Sequence, residues 1–201
     1  MAVQFQYNKT SQQQLDKQLK VRERALPTLK NKEAALRIEV KRAKQQAAEI
    51  QQELETQMAD LDKMSKLWGE FDMQAITIED VVLSRKKIAG VNTPILQEVI
   101  FKKEPFALFT KPVWFLDGLV LVEKLARLGI EREVYLRKME LLEHARKKST
   151  QKVNLYEKVQ IPGYIDAIRK IKRFLEDEEN LSKSAQKIVK SRKEAMEGEE
   201  A

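Results

Sequence analysis

The sequence predicts a mainly helical, all-α protein with a short β-hairpin or irregular region in its middle. Three observations predict this fold: an apolar seam along each end of the chain, and a middle stretch rich in β-branched residues. Both seams advance by alternating steps of three and four, the period of helices that pair as a coiled coil. We therefore expect a long antiparallel two-helix coiled coil in a single elongated structural unit. Its predicted parts are an N-terminal helix (1–71), a hairpin region (72–111), a C-terminal helix (112–196) and an acidic tail (197–201).

The first helix is predicted to begin near Asn8 to Ser11, whose side chains can accept hydrogen bonds from free amides. Pro27 lies inside it and has no amide hydrogen, so we expect a kink or a restart there. The helix should end near Trp68 and Gly69, because glycine suits a helix C-cap. Its seam is apolar at all but three positions: Leu15, Leu19, Arg22, Leu26, Leu29, Glu33, Leu36, Val40, Ala43, Ala47, Ile50, Leu54, Gln57, Leu61, Met64 and Trp68.

The middle region is predicted to form a β-hairpin. Residues 75–84 and 93–101 are rich in Val, Ile and Thr, and the segment between them contains the turn residues Gly90 and Asn92. A lone hairpin is marginally stable in water, so it should pack on the helices or on a partner. Aromatic residues gather around it in the sequence, and two interpretations stay open, a small core and a docking surface: Trp68, Phe71, Phe101, Phe106, Phe109, Trp114 and Phe115.

The second long helix is predicted to begin near Pro112, because proline suits a first helical turn. Its seam before Pro162 and its seam after Pro162 are out of phase by one residue, and a local kink would absorb the slip. If the chain folds back at the hairpin, Lys9 falls near Phe174. The helix beyond Phe174 would then extend past the start of its partner, and its apolar residues would be unpartnered.

Composition excludes several classes of protein. The chain has no cysteine, which excludes disulfides and cysteine-based metal sites. Its N-terminus has no apolar signal segment, and the most apolar stretch, 113–130, is interrupted by charges, so a soluble protein is expected. No GxxxxGK loop occurs, and His144 is the one histidine. We expect no catalytic residue, no cofactor, no metal site and no enzyme activity.

The net charge of +7 is concentrated on the first helix, where ten lysines and arginines lie between residues 17 and 44. An acidic partner or a nucleic acid would explain this surplus, and so would a simple solvated helix face. Stacking aromatic residues are missing from this basic stretch, so we expect no nucleic acid partner.

The C-terminal half contains a recognisable motif. The run 152–179 resembles the C-terminal signature of the D subunit of V-type (archaeal/vacuolar-type) ATPases and ATP synthases. The residues 88–95 resemble that family's Gly-Val-x-x-Pro-x-Ile stretch, and 19–32 is similar to its basic N-terminal helix. The motif residues of the C-terminal signature are Val153, Asn154, Ile161, Pro162, Ile168 and Ile171, followed by Leu175 and Glu176.

The resemblance implies a non-catalytic central rotor stalk, which transmits torque between the nucleotide-binding hexamer and the ion-translocating membrane ring. Ion or proton transport is coupled to ATP hydrolysis or synthesis in such complexes. The implied partners are the catalytic and regulatory nucleotide-binding subunits, the small F subunit and the membrane-side linker subunit. The implied location is peripheral, on the cytoplasmic side of a membrane in the soluble sector, without direct membrane insertion.

Two sets of contact residues follow from that geometry. Contact with the bearing formed by the nucleotide-binding ring is expected from Leu175, Leu181, Ile188 and Val189. Contact with the F subunit or the membrane-side linker is expected from Val81, Leu83, Ile95, Val99, Phe101 and Trp114. The alternative is a generic coiled-coil scaffold or adaptor, which would share the seams but give no reason for the hairpin or the C-terminal motif.

Overall fold

The computed structural model describes residues 4–62, 68–105 and 111–199 of the 201-residue chain. The described residues are mostly helical, with one antiparallel two-stranded hairpin in the middle, so the predicted fold class is confirmed. The elements in chain order are helix α1 (Lys9–Asp62), a 3-10 turn (Met73–Ala75), strands β1 (Ile76–Ile88) and β2 (Val91–Lys103), helix α2 (Phe115–Asn154), a π-helical turn (Leu155–Gln160) and helix α3 (Ile161–Glu199).

Helix α1 begins where the capping residues predict and continues through its proline. The backbone amide of Ser11 donates to Asn8 Oδ1 at 2.6 Å, which satisfies one of the free amides of the first turn. The helix is continuous through Pro27, which excludes the restart, one of the two predicted alternatives. Proline removes one backbone hydrogen bond, and the half-buried neighbours Leu26 and Leu29 keep the helix packed on both sides of the gap. At the far end, the stretch 63–67 lies outside the described residues.

The contacts of the chain group into two compact units. One consists of Met1–Asn31 with Ser149–Ala201, and we call it the terminal unit. The other, Lys32–Lys148, contains the hairpin, and we call it the hairpin unit. Helix α1 contributes residues to both.

In the terminal unit, the first part of α1 packs antiparallel to α3. The core consists of Leu15 from α1 and Tyr164, Ala167 and Ile171 from α3. Further along α1, Arg22 Nε donates to Gln160 Oε1 at 2.7 Å. These contacts show that the two helices run in opposite directions.

The start of α1 also lies where the sequence predicts. The ring of Tyr7, just before the helix, is 4.9 Å from the ring of Phe174, centroid to centroid. Further along, Lys30 Nζ lies 2.6 Å from a carboxylate oxygen of Glu157.

The polar seam position Arg22 is accommodated by aromatic rings. Its guanidinium carbon lies 4.6 Å from the ring centre of Tyr164 and 5.9 Å from that of Tyr156. A guanidinium over an aromatic face keeps its charge while its stem packs, and such contacts contribute roughly 0.5–1 kcal/mol at exposed sites. Arg22 thus occupies a position of the apolar seam without burying an unpaired charge.

The one-residue slip of the second seam is absorbed by the π-helical turn. Equivalent seam positions repeat every seven residues, but Tyr156 and Tyr164 are eight apart. A π turn bonds each amide to the carbonyl five residues back, as the Ile161 amide does to Tyr156 O, and so takes up one extra residue. The π turn ends just before Pro162, which cannot donate a backbone hydrogen bond. The predicted slip is therefore present, and its form is a widened turn.

Removing the extra residue should leave the terminal unit folded. Deleting Val159 in a chain that also carries Pro162→Ala should convert the π turn into α-helix. The deletion removes the surplus residue, and the alanine supplies the backbone amide hydrogen that proline lacks. We expect the midpoint of thermal unfolding, followed by circular dichroism, to change by only a few degrees.

The matched control for that deletion is a deletion of Lys170, which lies between two core positions. It turns Ile171 by about 100° away from the core. We expect it to cost about 2–5 kcal/mol of unfolding free energy, as for removal of a buried aliphatic side chain. Equal losses in the two deletion variants would contradict the assignment of the extra residue to the π turn.

In the hairpin unit, the second part of α1 packs antiparallel to α2. Leu36, Ala43 and Ala47 of α1 and Leu142 of α2 are buried. A Cβ atom built on Gly129 would lie 3.9 Å from Leu54 Cδ1, so the late part of α1 meets the early part of α2. Near the other end, the carboxylate of Glu143 and then that of Glu33 raise the pKa of the Arg146 guanidinium.

The β-hairpin is longer and tighter than predicted. The strands pair from Ile76↔Lys103 to Ile88↔Val91, so Asn92 lies in β2 and the turn is the two residues Ala89 and Gly90. Both have positive φ, at 48° and 84°, as a turn that matches the twist of the strands requires. The sequence indicates Gly90, but an alanine is uncommon in this conformation, so the sequence does not indicate Ala89 as the other turn residue.

The hairpin packs on both helices of its unit. Thr93 is fully buried, and its hydroxyl donates to the carbonyl of Lys86 at 2.9 Å. Leu83 and Pro94 of the strands line a groove together with Val134 and Leu141 of α2. The expectation that the hairpin packs on the helices is therefore confirmed.

An aromatic core closes the base of the hairpin. Phe71, Ala75, Ile76, Phe115 and Leu119 are buried together, with Trp68, Phe101, Trp114 and Val122 packed against them. The ring centroids of Phe71 lie 5.1 Å from Trp68 and 5.2 Å from Phe115. A Cβ on Gly118 would approach Phe71 and Trp114 to 3.1 Å, closer than most Cβ contacts, so the glycine eases the approach of α2 to these rings. The interpretation of the aromatic residues as a small core is borne out for Trp68, Phe71, Phe101, Trp114 and Phe115. Phe106 and Phe109 lie outside the described residues.

Candidate contact surfaces

The end of α3 presents apolar side chains that nothing in the described chain covers. Every side chain from 176 to 194 is exposed. Leu181 is 72% exposed, Ile188 55% and Val189 59%. Ile188 and Val189 lie seven and eight residues beyond Leu181, so the three side chains share one face of the helix. We call these three residues the C-terminal stripe.

Leu175, the fourth residue predicted at this end, lies elsewhere. It is half-buried and packs against the core of the terminal unit, beside Ile171. The expectation that Leu175 is unpartnered is corrected, because it packs against a cluster that includes Leu15 of α1. The unpartnered surface therefore begins beyond Leu175.

Ion pairs on the polar faces support this exposed part of α3. Lys183 Nζ lies 2.7 Å from Glu179 Oε1, and Lys190 Nζ lies 3.7 Å from Glu194 Oε1. The hydrogen bond from Lys183 and its charge hold the pKa of the Glu179 carboxyl below its ordinary value. A carboxyl with a lowered folded pKa stabilises the helix above its unfolded pKa, and that contribution is lost as the pH falls through the folded pKa. Such exposed pairs are weak, so the helix end gains little stability from its own chain.

The six residues predicted for contact with the F subunit or the linker divide into surface and core. Leu83 is half exposed, and Val81 and Ile95 are half-buried. Val99 is buried at 4% exposure, and Phe101 and Trp114 pack against the aromatic core. These last three therefore make their packing contacts within this chain, because one face of the hairpin lies against the helices and aromatic rings cover its base.

A second apolar stripe, which sequence reasoning missed, lies at the start of α2. Leu116 is 47% exposed and Val120 66%, four residues apart on one face of the helix, and Val113, 99% exposed, lies in the turn just before the helix. We call them the α2 stripe. Its signal was present but hidden, because Phe115, Leu119 and Val122 form the core face of the same apolar run. On the hairpin, Ile78 and Ile100 are also exposed.

The motif residues of the C-terminal signature all lie in the terminal unit. Ile171 is fully buried, and Val153, Ile161 and Ile168 are half-buried. Asn154 and Pro162 are exposed and stand immediately before and just after the π turn. The motif therefore describes the packing of this helix pair and the turn that corrects its phase.

Within residues 4–62, 68–105 and 111–199, no three His, Cys, Asp or Glu side chains come together as metal ligands would. His144 is exposed on α2. None of the helices in the described part of the chain is long and apolar enough to cross a membrane.

The fold and its surfaces define a class: a helical coiled-coil protein with a β-hairpin folded onto the helices and apolar stripes left uncovered. The chain belongs to the family of ATP synthase D subunits, whose sequence profile matches residues 11–191. The resemblance inferred from the sequence motifs is thereby confirmed.

Curated relatives agree with this assignment. The V-type ATP synthase D subunit of Chlamydia pneumoniae is 30% identical over 183 residues, which cover 88% of this chain and 87% of the relative. The protein of the same name from Chlamydia abortus is 29% identical, with coverage of 86% and 87%. That from Borreliella burgdorferi is 28% identical over 87% of each chain.

Proposed function

We propose that this chain is the central rotor-stalk component of a V-type ATPase or ATP synthase. In this role it transmits torque between the nucleotide-binding hexamer and the ion-translocating ring, and it catalyses no reaction itself. It would act on the cytoplasmic side of the membrane, as a peripheral part of the complex. Family membership supports the assignment. The structural observation that carries the proposal is the C-terminal stripe on a helix end without a partner in the described chain.

An apolar stripe suits a bearing inside a ring of subunits. Apolar contacts are non-directional, so they hold two surfaces together without fixing one rotational position. Hydrogen bonds and ion pairs would favour one angle over the others, because their geometry is specific. Leu181, Ile188 and Val189 would thus centre the helix end against the catalytic and regulatory subunits while it turns.

A stalk must also carry torque, and the helix pairs support that requirement. Each unit joins its two helices by a packed core, with Ile171 in one and Leu36 and Leu142 in the other fully buried. Close-packed interiors resist deformation. A twist applied to one helix is therefore passed to its partner.

The α2 stripe and the exposed residues of the hairpin are the proposed contacts for the F subunit and the membrane-side linker. Leu83 keeps this role, and the exposed Ile78 and Ile100 join it, because Val99 is buried and Phe101 and Trp114 pack on the aromatic core. Large apolar side chains exposed on one helical face are typical of surfaces that a partner covers.

The test is to tag the chain in its own host, purify it gently with membranes, and identify the associated proteins by mass spectrometry. Recovery of two kinds of nucleotide-binding subunit and a small partner protein in fixed ratio, with ATPase activity, is the expected result. A parallel purification with the tag on an unrelated coiled-coil protein of the host controls for adhesion through exposed helices. Recovery of the chain alone, or together with proteins unrelated to an ATPase, would instead favour a coiled-coil scaffold.

A further inference from the structure

A cationic cleft lies where the hairpin meets the two helices of its unit. It measures about 560 Å³, within the range of about 300–1,000 Å³ that is usual for small-molecule sites. Ile88 and Ile95 contribute its apolar lining. Four positive side chains from three elements line it: Arg42 of α1, Lys86 and Lys87 of β1, and Lys138 of α2.

The positive charge of the cleft is poorly balanced by the chain. Glu39 is the one carboxylate among the lining residues, and its Oε1 lies 3.4 Å from Arg42 Nη1. No carboxylate in the described part of the chain pairs with Lys86 or Lys87. The hairpin has no acidic residue between Asp80 and Glu98. Like charges held together repel, so an anion bound among them would be stabilised by all of them at once.

A second, independent feature of the cleft indicates a missing hydrogen-bond partner. Gln46, on the same face of α1 as Glu39 and Arg42, lines the cleft, and its side-chain oxygen is buried without a hydrogen-bond partner among the described residues. Buried polar atoms without partners are costly and rare.

We propose that this cleft binds a small polyanion with two or more linked phosphate groups, such as pyrophosphate or the phosphates of a nucleotide. Lysine and arginine together are the usual phosphate ligands, and linked phosphates supply enough oxygens to reach cations on α1, α2 and β1. The compact volume favours such a molecule over an extended acidic segment of a protein. The bound anion would connect the hairpin to both helices of its unit. This inference is independent of the proposed rotor role.

The test is calorimetric titration of the purified full chain with sodium pyrophosphate. The variant Lys86→Glu with Lys87→Glu should bind at least about tenfold more weakly, because two attractive charges become repulsive. The matched control is Lys17→Glu with Lys20→Glu, which makes the same charge change on exposed residues of α1 in the terminal unit. Gln46→Glu, which keeps the side chain's shape, should also weaken binding. Circular dichroism checks that each variant is folded.

Each outcome decides the proposal. Loss of binding in the cleft variants, with unchanged binding in the control, supports it, and competition by ATP then shows that nucleotides share the site. Equal weakening in the cleft and control variants would mean general attraction to a basic protein and would overturn it. Absence of pyrophosphate binding would overturn it as well. Binding of hexaglutamate in place of pyrophosphate would overturn it too and reassign the cleft to an acidic protein partner.

Discussion

Replacing Leu181, Ile188 and Val189 together with serine should separate the chain from the nucleotide-binding hexamer while leaving its own fold intact. The three side chains are exposed in the free chain, so their loss removes no internal packing. If a bearing covers them, each loses about 1.5–3 kcal/mol of apolar burial, and together they weaken attachment by roughly a thousandfold or more. The measurement is ATP-driven ion pumping by the reconstituted complex, beside thermal unfolding of the free chain.

The control for the stripe uses the opposite faces of the same helix end. Asn180, Gln186 and Lys187 are exposed and lie away from the stripe, and serine at these positions should leave pumping nearly unchanged. A truncated chain that ends at Glu178 provides a second test. The truncation leaves Leu175 in place, because this residue packs in the core of the terminal unit. Full pumping by both the serine variant and the truncated chain would refute the bearing role of the stripe.

Phe115→Ala should be among the most destabilising single changes in the hairpin unit. Phe115 is 1% exposed and packs beside Phe71, whose ring is 5.2 Å away. Truncating a buried phenylalanine leaves a cavity and costs about 3–5 kcal/mol of unfolding free energy. Denaturant unfolding followed by tryptophan fluorescence is the suitable measurement, because both tryptophans of the chain, Trp68 and Trp114, pack on this aromatic core.

The adjacent residue provides the control for Phe115. Leu116 follows Phe115 directly but faces outward at 47% exposure, so Leu116→Ala should cost under about 1 kcal/mol. If the two variants lose equal stability, the aromatic core does not hold the hairpin unit together. Because Leu116 belongs to the α2 stripe, the same variant also tests partner binding without disturbing the fold.

The pairing of the helices could be predicted because seam periodicity depends only on the spacing of apolar residues. The approach of Tyr7 to Phe174 and the slip near Pro162 both follow from counting along the two seams. Counting shows that one residue is surplus, but it does not show how the backbone accommodates it. A kink and a π turn both satisfy the count, and the hydrogen bonds of the backbone decide between them.

The contact residues on the hairpin were harder to predict, because burial there depends on which face the helices cover. The strand pairing shifts between Ile78 and Asp80 and again between Val82 and Leu83, which breaks the simple alternation of faces. Val99 and Ile100 are adjacent and face opposite sides of β2, and the packing of the hairpin decides that Val99 is buried and Ile100 exposed. The α2 stripe was missed because one helix carries two apolar faces, and a run of apolar residues does not say which face meets the core.

The exposed end of α3 also bears on how a cell would keep the number of these chains matched to their partners. A solitary helix with weak surface pairs opens readily, and proteases cleave the open form in proportion to its population. In the proposed complex the ring encloses this segment and protects it from cleavage. Copies left without a ring would keep a degradable tail and be removed first, so the supply of ring proteins would set the lifetime of the stalk.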